Sequence, residues 1–175
     1  SSYGKGSMFI VLASDFKKKL QSWGITSPIH IESTIIDPEL INSFDIANRL
    51  KSITNKQYFN ILYLARIEKL KGVFETVDAI KILNAKNVFI KLSIAGDGPA
   101  INELKAYVEK QKIPPGTIKF LGYVRDQKKV DAFTNHDIYC FPTYYREGLP
   151  ISVLEALSFG MPVITCATGG LADIF

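Results

Sequence analysis

The sequence predicts an α/β protein with a mostly parallel sheet wound with helices on both sides, and three observations carry that reading. From Asn60 onward short β-type runs alternate with helical patterns, each junction carries a turn signal, and the runs read as strands buried on both faces. The runs are Asn60–Ala65, Val88–Ala95, Ile118–Gly122, Ile138–Phe141 and Val163–Cys166. Between them the predicted helices cover Val73–Leu83, Ala100–Gln111, Asp126–Asn135 and Ile151–Phe159. In the first of these, Val73, Val77, Ile80 and Leu83 form one apolar stripe at near-helical spacing. In the last, Pro150 opens the helix, Leu154 and Leu157 face inward and Gly160 ends it.

Residues before Asn60 depart from this alternation. Phe9–Ala13 reads as a strand, Ser14–Trp23 as a helix capped by Ser14 or Asp15, and Ile29–Glu32 as a second strand. Asp37-Pro38 then opens a turn, and Ser43–Ile53 reads as a helix before the polar run Thr54–Gln57. Residues 1–58 are expected to be a connector plus an edge element, and residues 59–175 an incomplete domain. A doubly wound sheet usually continues past a fifth strand, whereas this chain stops at Phe175.

Hydrophobic residues make up 47% and charged residues 22%, which implies a packed core and excludes a disordered chain. The 21 basic and 17 acidic residues leave +4, scattered apart from Lys17-Lys18-Lys19 and Lys128-Lys129. That surplus suits anionic small ligands or an anionic membrane surface rather than nucleic acid. Cys140 and Cys166 each end an apolar run, and both read as buried thiols of a reducing cytoplasm. The chain lacks a membrane-length apolar run and a signal-peptide pattern, so the expected location is the cytoplasm, with peripheral contact at the inner membrane face.

In a doubly wound sheet, ligands sit outside the carboxyl ends of the strands, so the loops after the strands are the candidate site. The first such loop, Arg66 to Gly72, carries neither a dinucleotide fingerprint nor a P-loop. Arg66 offers a bidentate fork and Lys71 a mobile point charge, a pairing that can clamp a diphosphate or stand as a solvated basic loop. Gly96-Asp97-Gly98-Pro99 follows the second strand, where Gly96 and Gly98 either bring backbone close to a ligand or make a tight turn. After the third strand, Val124 offers an apolar surface beside exposed backbone, suited to a nucleobase. The loop after the fourth strand holds Glu147, then Gly148, Leu149, Pro150 and Ile151 at a helix N-terminus, with Glu155 further along the helix. Helix amides attract an anion, and carboxylates accept from vicinal hydroxyls. A diphosphate flanked by two polyols suits that layout, which is the form of a nucleotide sugar.

These residues resemble the retaining glycosyltransferases of the glycogen-synthase-like and sucrose-synthase-like type, family 4, whose GT-B fold has two Rossmann-like domains. The matching stretches are Leu64-Ala65-Arg66 to Lys71-Gly72, Ile94 to Pro99, Phe120 to Val124, Asp137 to Pro142, the Glu-x7-Glu motif Glu147 to Glu155, Gly160 to Ile164 and Gly169-Gly170. The resemblance covers residues 58 to 175, the C-terminal donor half, and residues 9 to 42 look like the crossover from an acceptor domain. It implies that Arg66 and Lys71 hold the donor diphosphate, that Glu147 meets the transferred sugar, and that Glu155 takes the ribose hydroxyls. Amides around Gly148 to Ile151 would lie near sugar and phosphate, and Val124 by the base. It further implies metal-independent, configuration-retaining transfer without a cofactor, to a saccharide or glycolipid acceptor. The aromatic, basic segment Thr143 to Arg146, Gly-Leu in place of Gly-Phe-Gly, and Asp173 where Glu is usual depart from the family pattern. A nucleotide-sugar epimerase of the same architecture and a non-catalytic nucleotide-binding module are the alternatives.

Overall fold

The computed structural model describes residues 7–175 except 33, 42, 43, 54, 55 and 57. Five parallel strands, β3 (Phe59–Leu64), β4 (Ile90–Ala95), β5 (Ile118–Gly122), β6 (Ile138–Phe141) and β7 (Val163–Thr165), form one sheet in the order β5-β4-β3-β6-β7. The boundaries agree with the sequence reading to within two residues. β3 is central, and Ile61, Leu62 and Tyr63 on it are buried, which is why this run is apolar on both faces.

Four helices connect these strands: α3 (Val73–Ala85), α4 (Ile101–Lys110), α5 (Asp126–Thr134) and α6 (Ile151–Ser158). The chain moves outward from β3 to β5 and then returns to the other side of β3, so right-handed crossovers put α3 and α4 on one face and α5 and α6 on the other. Ring contacts follow that division. Phe74 of α3 meets Tyr107 of α4 edge-on with centroids 5.3 Å apart, while Phe133 of α5 stacks on Phe159 after α6 at 5.2 Å. The α3 stripe buries Val73, Val77 and Ile80 as its period predicts.

The segment before this sheet contains β1 (Phe9–Val11), α1 (Ser14–Ser22), β2 (Ile29–Ile31) and α2 (Ile46–Ile53). β1 and β2 pair in parallel with each other as a separate two-stranded sheet. α2 is anchored through buried Arg49, whose guanidinium donates to the carbonyls of Phe133 at 2.5 Å and His136 at 2.8 Å at the end of α5, and lies over Phe44. These contacts satisfy carbonyls that a helix end leaves unpaired.

Several local expectations are corrected. α1 is not capped by Ser14 or Asp15: its N-cap is Ala13, and the Ser14 N–H donates instead to Asp173 Oδ2 at 2.7 Å, a cap supplied from the far end of the chain. Cys140 is buried but Cys166 is exposed, because β7 ends one residue before it. Leu157 is 39% exposed, since the inward face of α6 carries Val153 and Ala156, three apart. The helix expected from Ser43 begins at Ile46, with the Asp45 carboxylate accepting from Asn48 N–H at 3.1 Å. Ser43 itself and most of Thr54–Gln57 lie outside the described residues.

His136, which follows α5, gives the fold a pH dependence. Its Nδ1 lies 2.6 Å from the Ala132 carbonyl, so the neutral tautomer donates there. Burial pushes its imidazole below the ordinary value, outweighing that hydrogen bond and the Asp137 charge. A depressed folded-state pKa adds stability that is present above the unfolded value, about 6.5, and lost as pH falls through the folded one. His136→Gln should therefore lose less of its melting temperature than the unmodified chain between about pH 7 and pH 5, as read by thermal denaturation at both values.

Candidate nucleotide and sugar site

The order reversal places the switch point beside β3, where the loops after β3 and β6 leave toward opposite faces and open a crevice. Lys71, at the end of a short 3-10 turn (Lys69–Lys71) after β3, places its Nζ 2.5 Å from Glu147 Oε1 in the loop after β6. Both side chains are mostly buried, at 16% and 12% exposure, so the pair is held away from bulk solvent. Thr143 Oγ1 donates to the same carboxylate oxygen at 3.1 Å, and the ammonium lies 4.9 Å from the centroid of the Tyr145 ring. The N–H groups of Tyr144 and Tyr145 both donate to Leu70 O at 3.1 Å, tying the aromatic segment to the β3 loop.

Arg66 does not join Lys71. Its side chain is 70% exposed and its Nε pairs with Glu68 at 3.0 Å. It lines instead a cavity of about 400 Å³ at the carboxyl ends of β3, β4 and β5, together with Gly96, Tyr123, Val124 and Ser152. Ser152, in the first turn of α6, is held by Tyr139, whose hydroxyl lies 2.8 Å from Ser152 Oγ and donates to Leu64 O at 2.8 Å. Burial pushes the Tyr139 phenol well above its ordinary value, so it stays a neutral donor.

The Gly96 and Gly98 reading is resolved by close approach to the chain's own backbone. At Gly96, whose φ is +133°, an added Cβ would lie 1.9 Å from Ala65 O, and at Gly98 it would lie 2.5 Å from Ile67 O. Ile67 N–H donates to Asp97 O at 2.9 Å, which seats one loop on the other and shapes the cavity wall. Beyond Glu147, Gly148 packs against Leu12 and Phe16, Pro150 is the N-cap of α6, and Ile151 at the first helical position is half exposed. Leu149 lies between them, partly buried. Gly169 lies directly against the Glu147 backbone, where a Cβ would be 2.0 Å from Glu147 O, and Gly170 N–H donates to that carbonyl at 3.1 Å.

Glu155 is 4% exposed, and its Oε1 accepts from Lys129 Nζ of α5 at 2.5 Å. It lies behind the cavity wall rather than among the residues that line the cavity. Lys129, the partner of the candidate residue Glu155, is one that sequence reasoning missed; the pattern Lys128-Lys129 showed charge but not which lysine turns inward. Among the described residues, no cluster of His, Cys, Asp and Glu has a metal-binding arrangement, and no helix is long and apolar enough to cross a membrane.

The strand-order reversal, the buried Lys71–Glu147 pair, the glycine-lined backbone and the start of α6 together mark an open α/β sheet with its candidate ligand crevice at the switch point. Residues 45–175 match the family described as glycosyl transferases group 1, and the chain belongs to that family. It is 31% identical over 118 residues to TuaC of Bacillus subtilis, named for teichuronic acid biosynthesis, across 65% of this chain and 26% of that protein. It is 28% identical over 181 residues to an uncharacterized glycosyltransferase of Methanocaldococcus jannaschii, covering 95% of this chain and 42% of the relative. The chain therefore spans less than half the length of these curated relatives. Its fold is that of Anabaena HepE in complex with UDP and glucose, at a TM-score of 0.76 and 17% identity over 97% of this chain and 46% of that one. The α/β architecture with a parallel sheet, corresponding to half of a GT-B glycosyltransferase, is as the sequence predicts.

The buried Lys129–Glu155 pair makes a stability prediction. Removing one member of such a pair leaves an uncompensated charge and costs roughly 3–5 kcal/mol, whereas replacing both by apolar residues can be neutral. Lys129→Met should lower the midpoint of urea denaturation markedly, and Lys129→Met with Glu155→Leu should recover most of that loss.

Proposed function

We propose that this chain is the donor domain of a retaining glycosyltransferase, binding a nucleotide-diphosphate sugar for metal-independent transfer to a saccharide or lipid-linked acceptor. The observation that carries this reading is the Lys71–Glu147 pair at the switch point, beside the start of α6 and the cavity walled by Gly96, Val124 and Ser152. The UDP complexes among the solved proteins of the same fold support it.

In this reading the base lies against Val124, close to the Gly96 to Gly98 backbone. Lys129 meets one oxygen of Glu155, and for the other to accept from the ribose hydroxyls the carboxylate, 4% exposed in this structure, must open toward the cavity. Arg66 swings from Glu68 to the diphosphate, and Lys71 stands between the phosphate and Glu147. Glu147 accepts from hydroxyls of the transferred sugar, while amides from Gly148 to Ile151 face sugar and phosphate with Leu149 and Pro150 setting their direction. During transfer the anomeric carbon–phosphate oxygen bond breaks as the acceptor oxygen bonds to the same face. The acceptor's proton passes to the departing phosphate, which retains the configuration. Lys71, Arg66 and the α6 dipole stabilise the charge that gathers on the leaving nucleotide, the task a divalent metal would otherwise perform. A lipid-linked acceptor would add a peripheral membrane contact.

Calorimetry with UDP, GDP and ADP should show binding of one of them to this chain without turnover of the sugar donor; no heat with any of the three would sink the proposal. Lys71→Ala and Arg66→Ala should each weaken that diphosphate by about tenfold or more while barely changing the nucleoside. Equal losses for diphosphate and nucleoside would contradict the clamp.

A further inference from the structure

The lysine run Lys17–Lys19 and the basic segment ending at Arg146 have no part in donor binding, yet the fold brings them together. α1 docks on the Glu147 loop through Ser14 and Asp173 and through the packing of Leu12 and Phe16 on Gly148. Beyond that contact the two elements part and leave a cavity of about 610 Å³. Lys18, Lys19 and Trp23 stand on the α1 side, and Arg146, Glu147 and Gly169 stand opposite.

The charges in this cavity are unbalanced. The cations Lys56, Lys71 and Lys129 each meet a carboxylate, but among the described residues Lys18, Lys19 and Arg146 form no ion pair. Glu147 is compensated by Lys71, and the Asp173 carboxylate near Lys18 is held by the Ser14 N–H. Asp15 on the same helix face and the Asp173 carboxylate, whose charge the neutral Ser14 N–H does not cancel, oppose the three cations, so the cations remain in excess. Trp23 is 67% exposed, with the Lys19 ammonium 5.3 Å from its ring centroid. A broad, exposed aromatic plane offers packing to the C–H face of a pyranose, and the exposed cations beside it select for a carboxylate or phosphate. Glu147 also lines this cavity, and under the proposed function it contacts the transferred sugar, so an occupant would lie on the acceptor side of the reacting bond.

We infer that this cavity binds an acceptor saccharide carrying an anionic group, its pyranose on Trp23 and its charge against Lys18, Lys19 and Arg146. The word acceptor rests on the donor-domain reading; the binding of an anionic sugar does not.

Trp23 is the single tryptophan of the chain, so its fluorescence reports this cavity. The chain is titrated with a glucuronate-containing disaccharide, with cellobiose and with glucose 6-phosphate. The glucuronate disaccharide should perturb Trp23 and bind about tenfold or more tighter than cellobiose, the gain of roughly one charge-assisted hydrogen bond. That gap should close as salt rises from about 0.05 M to about 0.5 M, where the screening length falls to several ångströms. Binding of glucose 6-phosphate without the glucuronate disaccharide would support the site and assign its anion as phosphate. Lys18→Glu combined with Arg146→Glu should erase the preference while leaving nucleotide binding by calorimetry intact, which also reports an intact fold. Equal binding of the acidic and neutral disaccharides, or a preference that survives the double variant, overturns the inference. Should the uronate preference hold while no nucleotide binds, the donor reading fails and this one stands.

Discussion

The organisation of the site depends on one ion pair between two loops that leave the sheet toward opposite faces. Lys71 follows β3 at the end of a single 3-10 turn and Glu147 follows β6 in a loop with no regular element, so neither tip is fixed by an extended strand or helix of its own. Their pairing at 2.5 Å, with Thr143 on the same carboxylate, supplies that constraint. Because both groups are largely withdrawn from water, their attraction is screened less than that of a surface pair such as Arg66 with Glu68. The pair also sets an ammonium and a carboxylate side by side at the crevice. Under the proposed function, a phosphate and a sugar hydroxyl would each find a partner already in place, and little reorganisation would be needed as charge develops.

The Glu147 loop is held from further directions as well. Gly169 and Gly170 bring backbone against backbone on one side, and a side chain there would collide with the Glu147 and Gly148 carbonyls. On another side Leu12 and Phe16 pack on Gly148. Asp173 links the two supports, since its carboxylate receives the first amide of α1, and that hydrogen bond holds its pKa below the ordinary carboxylate range. Residues more than a hundred positions apart thus converge on one short loop, and the segment of α1 becomes a wall of the site.

This convergence separates what was legible in the sequence from what was not. The sheet and its helices could be read because burial on two faces, helical period and glycine turns are local signals. The Val73, Val77 and Ile80 stripe is the clearest case, and the Gly96 and Gly98 positions also announced themselves. Leu157 misled because α6 is apolar nearly all round, so composition could not say which side faces the sheet. The cap of α1 was illegible for another reason: Ser14 and Asp15 have the right chemistry, but the acceptor is Asp173, and nothing local distinguishes a near cap from a distant one. Of the site residues, Lys71 and Glu147 were recognisable as loop residues, while their mutual contact was a property of the sheet order.

Lys129 shows the same limit and adds a consequence for the chemistry. Two adjacent lysines at the start of α5 look like a solvated pair, and only the packing of α5 beside α6 turns the second of them onto Glu155. A carboxylate buried to 4% exposure is costly to leave unpaired, and Lys129 supplies the partner for Glu155. The helix that offers its N-terminus to the crevice is therefore pinned at its second turn by an ion pair and at its first by the Tyr139–Ser152 contact. The Glu155 fastening is buried on the inner side of α6, while Ser152 lines the cavity itself. They fix the direction of the helix axis, and so the direction of its dipole, without occupying the amides that face the crevice. A helix held this way can stabilise negative charge at one place only, beside Lys71 and Glu147.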